Sequence, residues 1–302
     1  MTNWIYSRPQ FEFKKDIPDF TWAGHTFFAY DLVKNFKPET LVELGSYKGT
    51  SSMAFAQAAK DENLNTDLYF VDSWEGEEQT GYYSQDVYQL FTSLIEKYFS
   101  KQNVHPLKML FDEALEKFED KSIDILHIDG LHTYEAVKHD YETWKSKVKD
   151  NGVILFHDIR VQNFGAKEVW EEVKAENPKA IFIEFDHNYG LGVMIKDNLL
   201  ASTFTQEKIK EIKEYYFDIA TEFRLRQQTI DLENLTKDLT KAKENLDRML
   251  KEVMEENTRL YNKIDLLSTE LAQLKTEMDS TAVKLASKLS KNLRKVKDKI
   301  LR

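Results

Sequence analysis

The stretch that decides the fold is Leu41-Val42-Glu43-Leu44-Gly45-Ser46-Tyr47-Lys48-Gly49-Thr50-Ser51-Ser52. Its apolar start predicts a short buried strand, and the residues from Thr50 onward predict a helix. A tight glycine turn between a strand and a helix lets a ligand approach the backbone closely, and open α/β sheets bind ligands at the carboxyl ends of their strands. The stretch therefore predicts a ligand-binding turn around which the domain is arranged.

Strand-like and helix-like segments alternate on both sides of this turn. The strand patterns cover 41–45, 68–74, 104–109, 123–129 and 153–158, and the helical patterns cover 50–60, 85–99 and 133–148. Two further apolar runs, 181–185 and 191–195, are joined by a short turn that predicts an antiparallel hairpin at the sheet edge. The fold class is therefore α/β, a Rossmann-like, doubly wound and mostly parallel seven-stranded sheet with an antiparallel edge hairpin.

Composition limits the functional classes that fit. The 302 residues are 41% hydrophobic and contain no cysteine, so a disulfide framework, a thiolate metal site and a cysteine nucleophile are excluded. We expect a cytoplasmic protein, since the first residues show no signal peptide and no apolar stretch is long enough to span a bilayer. The formal net charge of -10 argues against nucleic acid as a partner.

The chain changes character after Lys196, since glycine and proline are absent from there to the end. Leucine or valine recurs every seven positions, and a second apolar series shifts its register near Asn257, which predicts a long coiled coil and a homo-oligomer. A single surface helix packed on the domain is the alternative. The seven-residue series is Leu232, Leu239, Leu246, Val253, Leu260, Leu267 and Leu274. The second series is Leu235, Ala242 and Met249, then Ile264, Leu271 and Met278.

We predict five segments in the chain. They are an N-terminal helical cap over 1–40, the α/β domain over 41–200, a helical linker over 201–228, the coiled coil over 229–280 and a basic amphipathic tail over 281–302. The tail carries eight Lys and Arg against one acid, Asp298, and keeps leucines on one helical face. Such a helix favours contact with an anionic membrane surface or an acidic partner, and a solvated end of the coiled coil is the alternative.

The glycine turn differs from a dinucleotide-binding turn in one position. Glu43 stands where the dinucleotide fingerprint has a glycine, and a carboxylate there would repel a pyrophosphate. A carboxylate suits a cationic ligand such as S-adenosylmethionine, which has a sulfonium and an ammonium group. Asp72, at the end of the next strand, is placed to bind both hydroxyls of a ribose. A plain helix-capping turn is the alternative.

Two later strands each end in titratable residues. Asp129 and His132 follow one strand and His157 and Asp158 end the next, so all four are expected at the rim that carries the glycine turn. The two aspartates predict a site for a hard divalent ion such as Mg²⁺, with helix capping as the alternative. His132 is a candidate base for a substrate hydroxyl. His127 lies inside its strand among apolar neighbours and is predicted to be a core histidine.

The motifs together resemble a known family. They are 41–52, Val71-Asp72-Ser73-Trp74, the segment 127–134, Phe156-His157-Asp158-Ile159 and Tyr189-Gly190-Leu191-Gly192-Val193. From about residue 20 to 196 the chain resembles a class I S-adenosylmethionine-dependent methyltransferase of family 24. This branch includes macrolide and aminocoumarin sugar O-methyltransferases and cephalosporin-hydroxylase-like proteins.

The resemblance implies roles for individual residues. Asp129 and Asp158 would bind Mg²⁺, with His157 where relatives usually have a third carboxylate, so that the ion would be held with imidazole, held more weakly or absent. His132 and Asp129 would be catalytic. The methyl donor would contact the residues Glu43, Gly45, Ser46, Tyr47, Gly49, Asp72, Ser73 and Asp129.

The resemblance also implies a functional setting. The expected reaction is O-methylation of a small-molecule or glycan acceptor, in particular a sugar hydroxyl in surface-polysaccharide biosynthesis. The basic tail would contact the inner face of the membrane or a glycosyltransferase. The alternative from another class is a coiled-coil scaffold whose methyltransferase-like domain binds ligand without turnover.

Overall fold

The computed structural model describes residues 4–17, 21–77, 81–84, 86–196 and 203–300. The chain divides into two compact units, 1–227 and 228–302. The first unit is an α/β domain, and the second is helical throughout its described part. The predictions for residues 1–3, 18–20, 85, 197–202 and 301–302 lie outside the described residues.

The described part of the first unit contains nine strands and the helices that connect them. The strands are β1 (Thr40–Leu44), β2 (Asp67–Asp72), β3 (Gly76–Glu77), β4 (Gly81–Tyr82), β5 (Val104–Lys108), β6 (Ile123–Ile128), β7 (Val148–His157), β8 (Ile181–Phe185) and β9 (Leu191–Ile195). The α-helices are α1 (Thr26–Phe36), α2 (Thr50–Asp61), α3 (Asp86–Phe99), α4 (Phe111–Leu115), α5 (Tyr134–Trp144), α6 (Ala166–Glu176) and α7 (Gln206–Ile300), the last of which continues into the second unit. Short 3₁₀ turns lie at Glu12–Lys15 and Ala23–His25.

Seven of the strands form one mixed sheet in the order β5-β2-β1-β6-β7-β9-β8. The pairs from β5 to β7 are all parallel, whereas β9 runs antiparallel to both β7 and β8. The predicted Rossmann-like sheet with an antiparallel edge hairpin is therefore confirmed. Helices cover both faces of this sheet, because the parallel strands carry apolar side chains on both faces. On one face α1, α2, α3 and the first turns of α7 share a core, and on the other face α4, α5 and α6 share a second core.

The strand β7 begins five residues earlier than its apolar pattern predicts. Val148 pairs with Ile123, and the register between the two strands shifts before Ile125. Of the extra residues, Lys149 is partly buried and Asp150 and Asn151 are exposed, so burial does not drive their pairing. Lys149 Nζ instead donates a hydrogen bond to Asp124 Oδ1 on the neighbouring strand β6, at 2.8 Å. Backbone pairing with β6 therefore extends β7 beyond its apolar residues, and the pattern of side chains alone could not reveal this extension.

The start of α7 packs against the N-terminal segment. Tyr216 is fully buried; its hydroxyl accepts a hydrogen bond from Trp4 Nε1 at 2.9 Å and donates one to Asp31 Oδ2 at 2.5 Å. Ile212 and Ile219 enter the same core. Residues 206–227 thus belong to the first unit, although their sequence pattern predicted a linker.

The glycine turn after β1 has a left-handed backbone at Gly45 (φ 91°), Tyr47 (φ 44°) and Gly49 (φ 90°). A Cβ at Gly45 would lie 2.0 Å from the carbonyl oxygen of Asp129, which is too close for any side chain. The amide of Asp129 donates to the carbonyl of Leu44 at 2.9 Å. Gly45 is therefore required both by its backbone conformation and by the close approach of β6 to β1.

In the second unit the helix α7 runs from 228 to 300, and every side chain described there is exposed. The leucines of the seven-residue series are between 49% and 65% exposed. The coiled coil and the contacts of the basic tail stay predictions. Among the described residues, no helix is both long and apolar enough to cross a membrane.

We expect Gly45→Ala to destabilise the domain more than Gly81→Ala. Both glycines have a left-handed φ, but a Cβ at Gly81 meets nothing within 4 Å. Gly81→Ala should cost only the backbone term of about 1–2 kcal/mol, and Gly45→Ala should cost about 1–3 kcal/mol more because β6 must move. The free energy of unfolding from denaturant titration measures both, and equal losses would contradict the close contact.

Candidate active site

A cavity of about 770 Å³ opens at the carboxyl ends of β1, β2, β6 and β7. This is the edge of the sheet at which the sequence predicted a ligand site. The lining includes most of the predicted site residues, namely Gly45, Ser46, Tyr47, Asp72, Ser73, Asp129, His132, His157 and Asp158. Glu43 and Gly49 are not among the lining residues.

Asp72 joins the second strand to the glycine turn. Its carboxylate accepts hydrogen bonds from the amide of Tyr47 at 2.8 Å and from the amide of Trp74 at 2.7 Å. Burial raises the pKa of Asp72 above its usual value, and these amides oppose that rise. Tyr47 and Trp74 both have positive φ. Strained residues that a surrounding structure holds in place are concentrated at functional sites, so the strain here points to a ligand site.

Glu43 lies beneath the turn and is completely buried. Its carboxylate accepts hydrogen bonds from Ser46 Oγ at 2.9 Å and from Ser52 Oγ, and it contacts His127 Nδ1 at 2.9 Å. The structure therefore places Glu43 away from the cavity surface, where it fixes the turn to β6. His127 is buried, as predicted for a core histidine.

The acids and histidines at the ends of β6 and β7 form one cluster. His132 Nε2 lies 2.7 Å from Asp158 Oδ2 and 3.8 Å from Asp129 Oδ1. His157 Nδ1 lies 3.2 Å from Asp129 Oδ1 and 3.3 Å from Asp158 Oδ2. Asp158 has a left-handed backbone, with φ 62°, which turns the chain at the end of β7. The sequence brought these four residues to the same rim, and the structure places them in contact.

The charges of this cluster stabilise one another. Burial alone would lower the pKa of His132, but hydrogen bonds to Asp129 and Asp158 raise it to about 9. Burial likewise opposes the cation at His157, yet the charges of the same carboxylates raise its pKa well above the usual range. The pKa of Asp129 and the pKa of Asp158 are both lowered by the imidazoles, although burial acts in the opposite direction. These shifts favour two carboxylates facing two imidazolium ions in the cluster.

Residues 42–159 match the family model described as a methyltransferase domain. The chain contains a methyltransferase domain. An uncharacterised protein of Sinorhizobium fredii, y4gI, is 34% identical over 221 residues, which are 70% of this chain and 24% of that protein. The chain therefore spans about a quarter of the length of this relative.

Solved methyltransferase structures resemble the domain more distantly. The methyltransferase PaMTH1 of Podospora anserina, solved with SAH bound, is 14% identical with a TM-score of 0.45, covering 64% of this chain and all of that one. The O-methyltransferase TomG of Streptomyces achromogenes, solved with SAM, is 13% identical with a TM-score of 0.46, covering 60% of this chain and 84% of that one. At these values neither similarity adds to the assignment.

The methyltransferase domain has a donor set that fits a divalent ion. One atom each from Asp129, His132 and Asp158 lie within 4.8 Å of one another, and two carboxylates with an imidazole suit a divalent cation. His157, the predicted third ligand, instead points Nδ1 between the two carboxylates and Nε2 at the carbonyl of Asn188, 3.1 Å away. A protonated His157 and a metal ion would therefore compete for the same carboxylates.

Several residues of the methyltransferase domain's cavity were missed as site residues by sequence reasoning. Phe164 stacks on His132 with ring centroids 4.6 Å apart and planes 7° apart. Trp22, in the segment before β1, packs against His127 and His157. Tyr189 lines the cavity from the loop between β8 and β9. These residues come from loops and from the segment before β1, so no strand-end rule could locate them.

We expect Glu43→Ala to lower the free energy of unfolding by about 3–5 kcal/mol, since it leaves buried polar partners unpaired. Glu39→Ala is the matched control. The Glu39 side chain is 86% exposed and pairs only with Lys149 at 3.1 Å among the described salt bridges. Its loss should change the unfolding free energy by less than about 1 kcal/mol. Denaturant titration of both variants measures the difference, and a small cost for Glu43→Ala would remove its structural role.

We expect the affinity for Mn²⁺ to increase as the pH is raised from 6.5 to 8.5. The raised pKa values of His132 and His157 mean that a metal ion must displace protons in order to bind, so each displaced proton changes affinity about tenfold per pH unit. Titration calorimetry of the protein with Mn²⁺ alone measures this dependence. His157→Gln removes one titrating group and should flatten it, whereas a pH-independent affinity in the unaltered protein would contradict the competition.

Proposed function

We propose that the domain transfers a methyl group from S-adenosylmethionine to a hydroxyl of a sugar, in the biosynthesis of a surface glycan. The observation that carries the proposal is an imidazole held by a carboxylate in the cavity that contains the glycine turn. His132 Nε2 and Asp158 Oδ2 are 2.7 Å apart there. The match of residues 42–159 to a methyltransferase domain supports the same reaction class.

The methyl donor would lie along the turn after β1. Gly45 leaves the backbone open, and Ser46 and Tyr47 line the cavity beside it. Asp72 and Ser73 line the cavity at the end of β2, where they would bind the ribose. Each oxygen of Asp72 already accepts a hydrogen bond from a backbone amide, which fixes the orientation of the carboxylate. Its remaining lone pairs therefore point in fixed directions. Glu43 would act indirectly by holding this turn.

The reaction asks the protein for alignment and for removal of one proton. The acceptor oxygen forms a bond to the methyl carbon as the sulfur–carbon bond breaks, and the hydroxyl proton must leave. His132 would accept that proton in its neutral form, which its raised pKa of about 9 makes the minor form at neutral pH, and the resulting imidazolium would donate a hydrogen bond from Nε2 to Asp158. A divalent ion held by Asp129 and Asp158 would supply polarisation of the acceptor oxygen, which leaves His132 free of the ion as the base.

The walls of the cavity support a sugar acceptor. Aromatic rings offer flat apolar surfaces to the C–H faces of a sugar, and polar groups nearby fix its orientation. Tyr189 is 52% exposed at the cavity, and Phe164 covers His132. The aromatic side chains of the lining are Trp22, Tyr47, Tyr83, Phe111, Phe164 and Tyr189.

Two measurements test the function. Calorimetry with S-adenosylmethionine tests the cofactor, and no binding at high micromolar cofactor would exclude the enzyme and leave the coiled-coil scaffold that binds ligand without turnover. A panel of sugar nucleotides, glycan fragments and phenols, incubated with the cofactor and analysed by mass, then identifies the acceptor class. A gain of one methyl on sugars supports the proposal, whereas methylation of the phenols alone would contradict the sugar acceptor.

We expect His132→Gln to lower kcat by about 10²–10⁴-fold on the acceptor found in that panel, since the general base is lost. Binding of S-adenosylmethionine by calorimetry should stay close to that of the unaltered protein. His139→Gln is the control, because His139 is an exposed histidine on α5 that pairs with Asp112 at 2.8 Å. Turnover of His132→Gln near that of the control would remove His132 as the base.

A further inference from the structure

The second unit presents a continuous apolar stripe that no part of the described chain covers. Leu260, Leu267 and Leu274 are 49%, 53% and 56% exposed, and Ile264 and Leu271 between them are 63% and 56% exposed. Exposed apolar surface that continues over many turns of one helix is typical of an association surface. The spacing of these apolar residues along the helix indicates what kind of partner would cover them.

The stripe follows two regular heptad stretches joined by a four-residue insertion. In the first stretch Leu232, Leu239 and Leu246 take position a, and Leu235, Ala242 and Met249 take position d. Val253, at position a, is followed only four residues later by Asn257, which is again at position a. The heptad pattern is therefore interrupted there by the equivalent of a four-residue insertion. In the second stretch Asn257, Ile264, Leu271, Met278 and Leu285 take position a, and Leu260, Leu267 and Leu274 take position d.

We propose that this stripe pairs with the same stripe of a second copy of this chain, as a parallel, in-register, two-stranded coiled coil. A β-branched residue at a with leucine at d favours two strands, and Ile264 stands between Leu260 and Leu267 in this way. A single asparagine at an a position fixes register and strand number, because its amide finds a partner only opposite the same residue. Asn257 is that asparagine, next to the insertion.

The charges beside the seam select the parallel orientation. In a parallel pair each g residue faces the e residue five positions later on the other helix. Asp238 then faces the partner's Lys243, and Glu270 faces the partner's Lys275. The other g and e residues of the two stretches produce no like-charged pair. An antiparallel pair would set g residues against one another, and most of these are acidic, namely Asp231, Asp238, Glu252, Glu256, Glu270 and Glu277.

The mass of the full chain in solution is the first test. Sedimentation equilibrium should give twice the chain mass of 35.5 kDa. A single-chain mass, which would leave the stripe to a different partner, would overturn the proposal, as would three or four copies. The methyl-transfer reaction is not involved in this measurement, so its result is independent of the proposed function.

Engineered cysteines test orientation and register. The chain has no cysteine, so any disulfide must join the introduced residues. Leu274→Cys lies at a d position and should form a disulfide-linked dimer under mild oxidation, because identical d residues face one another only in a parallel, in-register pair. Thr276→Cys is the matched control on the outer face, and should form about tenfold less linked dimer. Equal linkage in both variants would overturn the parallel register.

Charge exchange tests the g–e pairing separately. Glu270→Lys places like charges opposite the partner's Lys275 twice in each dimer and should weaken dimerisation about three- to tenfold. Adding Lys275→Glu to the same chain restores opposite charges and should restore the affinity. A double variant that stays as weak as Glu270→Lys, measured by sedimentation at 50 mM salt, would contradict the parallel pairing.

Discussion

The site depends on the buried link between Glu43 and His127, which joins the end of β1 to β6. Neither side chain reaches the cavity, and both are completely buried. Ser46 of the turn and Ser52 of α2 also donate hydrogen bonds to the Glu43 carboxylate. A buried carboxylate is costly unless all its oxygens are bonded, so these contacts permit one turn conformation. That conformation brings Gly45 against the backbone of Asp129, and with it the donor turn against the acid–histidine cluster.

Much of the fold could be read from the sequence because the parallel strands are buried on both faces and leave apolar runs. The strands β8 and β9 were predicted to the residue, since turn residues bound both of them. The polar start of β7 could not be found, because it is held by pairing with β6 and by Lys149. The place of Tyr216 in the core was also hidden, since its helix continues without a break into an exposed, heptad-rich stretch.

The candidate site was located better than the roles of its members. Strand-end rules brought Asp72, Asp129, His132 and Asp158 to one cavity. They could not show that Glu43 is buried beneath the turn, because a residue of a strand covered on both faces can point to either face. They also could not show that His157 is held between Asp129 and Asp158, where it supplies positive charge that a metal ion would otherwise supply. The protonation state of this cluster depends on the contacts among its four side chains, and the spacing of these residues in the sequence does not show those contacts.

The packing of Tyr216 has a practical consequence for anyone dividing this chain. An expression boundary chosen at residue 200, where the sheet has ended and the strand pattern stops, would remove the hydroxyl that joins Trp4 to Asp31. It would expose the core side of α1 and leave the buried Asp31 carboxylate without one of its donors, since only the contacts with Ser7 would remain beside it. A boundary near residue 227 keeps the three residues together. The compact unit that contains the candidate site is therefore longer than its sheet and includes the first turns of the helix that follows.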